Sequence, residues 1–343
     1  MPETIVIKEA LSKIVSGNDL SIAEAKEVMG EIMRGEATAA QIGAFLTALR
    51  MKGETVDEIA GCAQAMRESA IAVKPKRNQL VDTCGTGGDS SGTFNISTTV
   101  AFVVAGAGLA VAKHGNRSVS SRCGSADLLQ ALGVNLELTA AQVARCIDEV
   151  GIGFLFAPML HPAMKYALGP RKEIGLRTIF NILGPLSNPA GAKRQLLGVY
   201  DGNLTELMAE VLRTLGAEHA FVVHGADWLD ELSTTGINKV SQLRNGKIKT
   251  FQLDPQELGL PKAKLSDLAG GNAETNVGIT KSLLQGEKGP KRDIVLLNAA
   301  AVLIIGDKAR DFQEGLKLAA EAIDNGKALS KLKQLVEFSK SFN

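Results

Sequence analysis

The pattern of apolar and polar residues changes once along the chain. In the first 72 residues apolar positions recur at helical spacing, and a capping-box pair, Ser21 with Glu24, stands at one helix start. From Leu80 onward, short apolar runs typical of buried strands alternate with helical segments. The segments predicted as strands are 80–83, 109–112, 134–138, 152–156, 195–200, 220–224 and a hairpin over 240–253.

This alternation predicts an α/β fold with a second, all-helical unit. We expect a large domain with a mainly parallel central sheet flanked by helices, plus a small all-α domain. The small domain is predicted over residues 1–73, joined in space by about 162–190, where the pattern is again helical. The large domain is predicted over 78–161 and 191–343, with a hinge at 74–78.

Composition and charge exclude several classes of function. The chain is 45% apolar and 22% charged, which is typical of a globular protein. Its formal net charge of +1 gives no basic surface for nucleic acid or a membrane, so we expect neither as a partner. The longest apolar run, 295–305, is too short to span a bilayer. Four scattered cysteines favour neither a disulfide framework nor a zinc ribbon, and they predict a cytoplasmic protein.

Two loops rich in Gly, Ser, Thr and Asn follow the first two predicted strands. Residues 85–89 (GTGGD) follow the first strand, and residues 95–98 (NIST) begin the next helix. Backbone N–H groups in such a turn bind anions. The spacing matches neither a Walker A motif nor a dinucleotide fingerprint. Because the carboxyl ends of parallel strands meet at one edge, the loops predict one site for a ligand with more than one phosphate group.

Charged side chains near these loops carry the candidate chemistry. Lys113 closes a buried strand, where its charge needs an anionic partner, so we expect it to contact phosphate. His114 beside it is either a structural histidine or a ligand contact. Asp230 and Glu231 follow another strand and are the predicted place for Mg²⁺, which binds carboxylates together with phosphate oxygens. The basic cluster around Arg171 is either a helix face or a clamp for a carboxylate.

Taken together, these motifs resemble the anthranilate phosphoribosyltransferase family, in order and over nearly the whole chain. The matching segments are 82–89 (DTCGTGGD), 94–98 (FNIST), 113–117 (KHGNR), 124–127 (GSAD), 177–185 (RTIFNILGP) and 230–233 (DELS). The resemblance implies a small helical and a larger α/β domain, and a homodimer formed through the helical domains. It also implies transfer of the phosphoribosyl group of phosphoribosyl pyrophosphate to the amine of anthranilate, the second step of tryptophan biosynthesis, with two Mg²⁺ ions.

The resemblance also assigns roles to individual positions. Residues implied to bind phosphoribosyl pyrophosphate are Gly85, Gly88, Asp89, Thr93, Asn95, Ser97, Thr98, Lys113, Asn116, Ser118, Ser120, Ser121 and Ser125. Residues implied to bind anthranilate are Gly85, His114, Asn116, Arg171 and Pro185, and those implied to bind the metal are Ser97, Asp230 and Glu231. No general base is identified, because an aromatic amine is already unprotonated at neutral pH. Lys113 is predicted to stabilise the leaving group.

Two departures and two alternative functions accompany this hypothesis. Gln130 stands where Glu is expected, and Trp228 stands where Gly is usual, next to the metal carboxylates. The first alternative is a pyrimidine nucleoside phosphorylase, but its Lys-His-Ser-x-Gly-Gly type of phosphate loop is absent from the sequence. The second is a non-catalytic relative that binds nucleic acid, which predicts a strongly basic surface that the net charge of +1 does not supply.

Overall fold

The computed structural model describes residues 6–89, 91–118 and 122–342. The α-helices in these ranges are α1 (Ile7–Val15), α2 (Ile22–Arg34), α3 (Ala39–Lys52), α4 (Val56–Glu68), α5 (Ile96–Gly106), α6 (Ser125–Leu132), α7 (Ala140–Arg145), α8 (Ala157–Leu160), α9 (Lys165–Ile174), α10 (Phe180–Leu186), α11 (Leu204–Thr214), α12 (Ala273–Leu284), α13 (Pro290–Ile305), α14 (Phe312–Asp324) and α15 (Lys327–Lys340). The strands are β1 (Leu80–Gly85), β2 (Ala110–Gly115), β3 (Ile152–Phe156), β4 (Arg194–Gly198), β5 (His219–His224), β6 (Asn238–Arg244) and β7 (Lys247–Leu253).

The strands form one seven-stranded sheet in the order β3-β2-β1-β4-β5-β6-β7. The first five strands in this order are parallel, and β6 and β7 add an antiparallel hairpin. The hairpin turns at Asn245 and Gly246, which both have positive φ, as a two-residue primed turn requires. The predicted fold class and the predicted hairpin are therefore confirmed.

Local capping explains where several helices begin. Ser21 precedes α2 and its Oγ accepts from the N–H of Glu24 at 3.3 Å, while Glu24 Oε2 accepts from Ser21 N–H at 2.7 Å. The predicted capping box is thus present. Thr38, Thr55 and Thr139 cap α3, α4 and α7 in the same way. An N-cap of this type stabilises a helix by about 1 kcal/mol.

The two faces of the sheet pack against different helices. Leu196 and Phe221 belong to a core that includes residues of α5 and α13 to α15. Leu197 and Val222 belong to a second core that includes residues of α1 to α4 and of α11. Neighbouring residues of a strand point to opposite faces, so β4 and β5 contribute to both cores. Helix α9 packs against α3, and α10 against α4. The exact domain boundaries stay a prediction.

One predicted strand is wrong. Residues 134–138 alternate in burial, with Val134, Leu136 and Leu138 buried, yet they form no strand. The N–H of Asn135 donates to Ser339 Oγ at 3.0 Å, on α15. The apolar alternation therefore serves packing against a helix, which periodicity alone does not distinguish from pairing in a sheet.

A membrane span is not found in the part of the chain that the structure describes, since none of its helices has the length and apolar character to cross a bilayer.

Candidate active site

The loops at the carboxyl ends of β1, β4 and β5 approach one another very closely. The loop after β5 brings Asp230 against Gly85 and Gly198, the last residues of β1 and β4. A Cβ atom at Gly85 would overlap Asp230 Oδ2, and one at Gly198 would overlap the backbone oxygen of Asp230. Any larger residue would push the loop away, so both glycines are required to place this carboxylate at the strand ends.

The loop after β1 closes around the Asp230 carboxylate. Gly87 and Gly88 have φ values of 69° and 77°, the left-handed region that favours glycine. Gly87 N–H donates to Asp230 Oδ2 at 2.7 Å. The side chain of Arg177 donates to the C=O of Gly88. The GTGGD segment thus binds a carboxylate through the backbone N–H of Gly87, next to the end of a strand.

Asp230 and Glu231 are two crowded carboxyl groups. Loss of water around Asp230, together with the nearby charge of Asp89, raises the pKa of Asp230 to about 7. Loss of water and the charge of Asp230 raise the pKa of Glu231 to about 8, although the charge of Lys113 opposes this. Glu231 Oε1 accepts from Ser97 N–H at 3.1 Å. Both residues remain partly accessible to solvent, so a divalent cation that reaches them would relieve their repulsion.

The donor set at this position fits Mg²⁺. Within the described ranges, no group of three His, Cys, Asp or Glu side chains is placed to hold a metal ion by itself. Mg²⁺ usually binds one or two carboxylates and completes its coordination with water and substrate phosphate oxygens. Asp230 and Glu231, with the nearby hydroxyl of Ser97, match that requirement and leave room for a phosphorylated substrate.

Lys113 lies beneath this cluster and is 3% exposed. Its Nζ donates to Thr83 C=O and lies 3.4 Å from Ser97 Oγ. Burial lowers the pKa of Lys113, while the charges of Asp82 and Glu231 raise it. The ammonium group is therefore held at the strand ends without a direct carboxylate hydrogen bond in the described residues, and it is placed to attract an anion.

Side chains of α6 hold the loop after β2 in place through hydrogen bonds to its backbone. Asp127 Oδ2 accepts from the N–H groups of Ser118 and Gly124, at 3.1 and 2.9 Å. Ser125 Oγ donates to Asn116 C=O at 3.1 Å. Asn116 is exposed, and Ser118 and Ser125 are partly exposed. Asn116 and Ser118, in the loop after β2, and Ser125, at the start of α6, are therefore brought together at the carboxyl end of β2.

Other predicted residues differ in what their side chains can do. Ser120 and Ser121 lie outside the described residues. Asn95 is bound by protein on both side-chain atoms: its Nδ2 donates to Cys123 C=O at 2.9 Å, and its Oδ1 accepts from Asn276 Nδ2 at 2.9 Å. In this structure Asn95 therefore anchors the start of α5.

Thr98 and Thr93 lie on either side of Asn95. Thr98 is 1% exposed, and its hydroxyl is one of the buried polar groups without a hydrogen-bond partner in the described part of the chain. Thr93 is partly exposed and bridges to Ala269 through the backbone. Its hydroxyl lies 3.3 Å from Ser91 Oγ. Of the two threonines, Thr93 is the one whose side chain reaches the loop surface.

The predicted anthranilate residues fall on four elements, β1, β2, α9 and α10, and on the loop after β2. His114, on β2, has its ring centroid 5.1 Å from that of His161. Nε2 of both rings is buried and lacks a partner in the described residues, and burial lowers the pKa of His114 to about 3 and that of His161 to about 4. Arg171, on α9, lies over the ring of Phe180 at 4.8 Å, and Pro185 is buried in α10. No contact in the described residues joins Arg171 to the histidines.

Three residues at the site have no role assigned from the sequence. His161 faces His114, and Asp82 with Asn188 is buried below the strand ends. Arg177, a member of the basic cluster around Arg171, donates to Gly88 C=O and not to a carboxylate in the described residues. A signal was available for Asp82, because a carboxylate between Val81 and Thr83 interrupts an apolar strand.

Trp228 shows why glycine was expected before the predicted metal carboxylates. Asp227 and Trp228 have φ values of 58° and 65°, which side chains other than glycine adopt at a cost. Trp228 is 69% exposed and makes an edge contact with His224. The departure from the family pattern is thus accommodated by backbone strain, and Asp230 and Glu231 still reach the strand ends.

Comparison with known proteins relates this geometry to a family. Residues 77–329 match the model described as the glycosyl transferase family a/b domain, and residues 8–70 match its helical bundle domain. The chain is 57% identical over 337 residues to anthranilate phosphoribosyltransferase of Acetivibrio thermocellus, covering 98% of each chain. It is 58% identical over 337 residues to that of Moorella thermoacetica, covering 98% of this chain and 99% of the relative.

Solved structures agree. Anthranilate phosphoribosyltransferase from Thermus thermophilus superposes with a TM-score of 0.92 at 45% identity, covering 96% of this chain and 99% of that one. The Saccharomyces cerevisiae enzyme in complex with PRPP and Mg has a TM-score of 0.90 at 29% identity, and its complex with 4-fluoroanthranilate has 0.88 at 29%; each covers 98% of both chains. The predicted resemblance is confirmed, and the chain belongs to the anthranilate phosphoribosyltransferase family.

Proposed function

We propose that the chain transfers the phosphoribosyl group of phosphoribosyl pyrophosphate to the amine of anthranilate. The products are N-(5-phosphoribosyl)anthranilate and pyrophosphate, the second step of L-tryptophan biosynthesis. The observation that carries the proposal is one cluster at the strand ends, where the GTGGD loop, the buried Lys113 and the crowded carboxyl groups of Asp230 and Glu231 meet. The curated relatives that share 57–58% of their residues with the chain carry the same activity in their names.

The diphosphate and ribose would lie across the two loops that follow β1 and β2. Backbone N–H groups of these loops and of the first turn of α5 supply donors without a charge that must be desolvated. The residues proposed to contact phosphoribosyl pyrophosphate are Gly85, Gly88, Asp89, Thr93, Asn95, Ser97, Thr98, Lys113, Asn116, Ser118, Ser120, Ser121 and Ser125. The side chain of Asn95 is less free to bind the substrate, because its amide nitrogen and oxygen already form hydrogen bonds with protein groups.

Asp230, Glu231 and Ser97 are proposed to hold Mg²⁺. Mg²⁺, when bound, neutralises charge on the diphosphate and so makes pyrophosphate a better leaving group. We propose two ions, because the two carboxyl groups face different parts of the site. Asp230 is bound by the loop after β1, whereas Glu231 is bound by the first turn of α5.

Lys113 is proposed to stabilise the pyrophosphate oxygens as the bond to the anomeric carbon breaks. Its ammonium group is preorganised by Thr83 C=O and buried, so it interacts with the growing charge in a medium of low dielectric constant. No general base is needed, since the aromatic amine carries a free electron pair at neutral pH. Positioning of the amine and exclusion of water are the remaining requirements.

Anthranilate is proposed to contact Gly85, His114, Asn116, Arg171 and Pro185. Arg171 lacks an acidic partner in the described residues, and burial lowers its pKa, so a substrate carboxylate would complete its environment. Because Arg171 lies on α9 and His114 on β2, we propose that movement at the hinge 74–78 brings both to the bound sugar.

The test is a direct assay. Purified protein is mixed with anthranilate, phosphoribosyl pyrophosphate and Mg²⁺, and the loss of anthranilate fluorescence is followed. We expect a loss that requires all three components and stops when EDTA removes the metal. A parallel sample with thymidine and inorganic phosphate tests the phosphorylase alternative. Release of free base there, with no loss of anthranilate, would contradict the proposal.

We also propose a homodimer formed through the helical domain, which spans 1–73 with 162–190. Val15 and Met51, on α1 and α3, are 76% and 83% exposed, and exposed apolar side chains on neighbouring helices favour a partner surface. Light scattering should give twice the mass of the 36.1 kDa chain for wild type, and a smaller mass for Val15→Glu with Met51→Glu. A cytoplasmic location stays a prediction from the sequence.

A further inference from the structure

The backbone pairing between β1 and β2 is shorter than that of either neighbour. β1 pairs with β4 at five positions, and β2 pairs with β3 at five. In the described residues β1 and β2 pair at two positions, Leu80 with Ala110 and Val81 with Val111. The ladder thus stops before the carboxyl ends of the two strands, where the proposed substrate site begins.

Side chains bind the backbone groups at the point where the ladder stops. Asp82 Oδ1 accepts from His114 N–H at 3.1 Å. Asn188 Nδ2 donates to Ala112 C=O at 2.9 Å. Buried backbone groups that lose a ladder partner require another, and here the partners are side chains from β1 and from the segment after α10.

Asp82 is the centre of this arrangement and is 0% exposed. Its Oδ2 accepts from Asn188 Nδ2 at 2.8 Å and lies 3.5 Å from Gln195 Nε2. Gln195 Nε2 also donates to Pro185 C=O at 2.7 Å. The groups of His114, Asn188 and Gln195 that face the carboxylate are all donors, so the position requires an acceptor at both oxygens. An amide of the same shape cannot replace the carboxylate, because one of its two ends is itself a donor.

The cluster joins two parts of the anthranilate side of the site. Through His114 N–H it holds the strand that carries one proposed contact. Through Asn188 and Gln195 it holds the segment 185–188, which begins with another proposed contact, Pro185. Lys113 instead binds Thr83 C=O, so the phosphate side has its own anchor.

We propose that Asp82, with Asn188 and Gln195, is a positioning cluster that holds the ends of β1 and β2 apart and fixes the segment 185–188 against them, so that anthranilate can bind. The inference rests on the proposed function. It assigns to Asp82 no contact with substrate. Its role is to set the places of His114 and Pro185 through their backbones.

The consequence is a difference between the two substrates. Asp82→Asn turns an amide NH₂ toward the donor groups of Asn188 and Gln195, which opposes the observed geometry. Loss of a buried hydrogen bond to a charged group typically changes an equilibrium by about tenfold to a hundredfold. We therefore expect the KM for anthranilate to rise about tenfold or more in Asp82→Asn, and the KM for phosphoribosyl pyrophosphate to change less than about threefold.

The experiment measures both KM values, kcat and the melting temperature of purified full-length variants with Mg²⁺ present. Gln195→Met is a milder second variant, because it keeps the volume and removes the donor to Pro185 C=O. It should raise the KM for anthranilate in the same direction by a smaller factor. It also keeps the test informative where Asp82→Asn does not fold.

Arg292→Met is the matched control for a buried polar residue outside the site. Arg292 is 3% exposed and donates to both carboxylate oxygens of Asp324, at 2.7 and 2.8 Å. It contacts none of the proposed site residues in the described structure. We expect Arg292→Met to lower the melting temperature and to leave both KM values unchanged.

The outcomes separate the two proposals. Active wild type with an anthranilate KM that is unchanged in Asp82→Asn or Gln195→Met, or with both KM values raised equally, overturns the positioning role. Loss of stability without any KM change, as in Arg292→Met, makes the cluster structural and overturns it as well. Wild type that consumes no anthranilate overturns the proposed function and, with it, this inference.

Discussion

Two lysine–glutamate environments of the described residues differ: the helical bundle holds the buried Glu58, and the strand ends hold the buried Lys113 near Glu231. Glu58, on α4, is 0% exposed and accepts from the N–H groups of Leu20 and Thr55, at 3.0 and 2.9 Å, and from Lys52 at 3.0 Å. Glu231 is less deeply buried, and it has one backbone donor and a second carboxylate beside it. The deeper group is the better satisfied one.

This difference separates structural charge from functional charge. A buried carboxylate that has all its hydrogen bonds holds helices together and needs nothing further. A carboxylate that lacks them, beside another carboxylate and a buried ammonium group, is stable only because the rest of the fold enforces it, and it gains from a cation or an anionic substrate. Changing one member of each pair tests this distinction.

The largest effect is expected from the two lysines. Lys113→Ala should lower kcat by about a thousandfold, because it removes a buried donor for the leaving group, and it should leave the far-ultraviolet circular dichroism unchanged. Lys52→Ala is the control, since Lys52 binds Glu58 and Asp19 in the bundle. It should lower the melting temperature and keep kcat. Near-normal turnover in Lys113→Ala would contradict the role of Lys113.

Replacing Glu231 should reduce activity, whereas replacing Glu58 should reduce stability. Glu231→Gln removes a crowded charge, so we expect activity at low Mg²⁺ to fall about ten- to a hundredfold and to recover partly at high Mg²⁺. Glu58→Gln loses a charge-assisted hydrogen-bond network and should lower the free energy of unfolding by about 2 kcal/mol. Mg²⁺ titrations of the rate, and urea unfolding without metal, measure the two effects. A Mg²⁺ dependence in Glu58→Gln equal to that in Glu231→Gln would remove the distinction.

Part of the functional pair and its surroundings can be predicted from the sequence. Three features can be recognised from sequence: the GTGGD loop, Lys113 and the Asp230–Glu231 pair. A Gly-rich turn presents backbone N–H groups to an anion, and a charge at the end of a buried strand is unfavourable without a partner of opposite charge. The predicted strands at 80–83 and 109–112 place two of these features at neighbouring strand ends, and the sheet has them there. Local pattern and chemistry agree at these positions.

The interrupted β1–β2 ladder and the hydrogen-bond partners of Asp82 could not be predicted from the sequence. Asn188 lies 106 residues from Asp82 along the chain, and no local pattern encodes their contact. The apolar alternation at 134–138 misled in the opposite way, because packing on α15 gives the same period as a strand. What sequence lacks in both cases is the long-range partner.

A smaller effect tests the bundle by pH. Hydrogen bonding to Lys13 lowers the pKa of Glu24 below its ordinary value of 4.5. A lowered pKa means that Glu24 stabilises the fold while it is ionised, above pH 4.5, and that this contribution is lost as the pH falls through the folded-state pKa. The free energy of unfolding of wild type should therefore exceed that of Glu24→Gln by about 1 kcal/mol at pH 7 and by less at pH 3. A difference that stays constant with pH in urea unfolding would rule this out.

The smallest effect concerns backbone strain in the loop that carries Asp230 and Glu231. The positive-φ residues described in α1 to α4 and their turns, Gly17, Gly35 and Gly53, are all glycines, whereas Trp228 next to the proposed metal carboxylates is not. Trp228→Gly should relieve its left-handed strain and, after the entropy cost of glycine and the lost contact with His224, raise the free energy of unfolding by about 0.5 kcal/mol. The matched change Trp228→Ala keeps the strain and should not stabilise. Because the Asp230 carboxylate is held by Gly87 N–H, the Mg²⁺ dependence of the rate should be the same in wild type and Trp228→Gly. A changed Mg²⁺ dependence would show instead that the strain at Trp228 helps to place the carboxylates. Backbone strain, as well as missing hydrogen bonds, would then distinguish Asp230 and Glu231 from the structural Glu58.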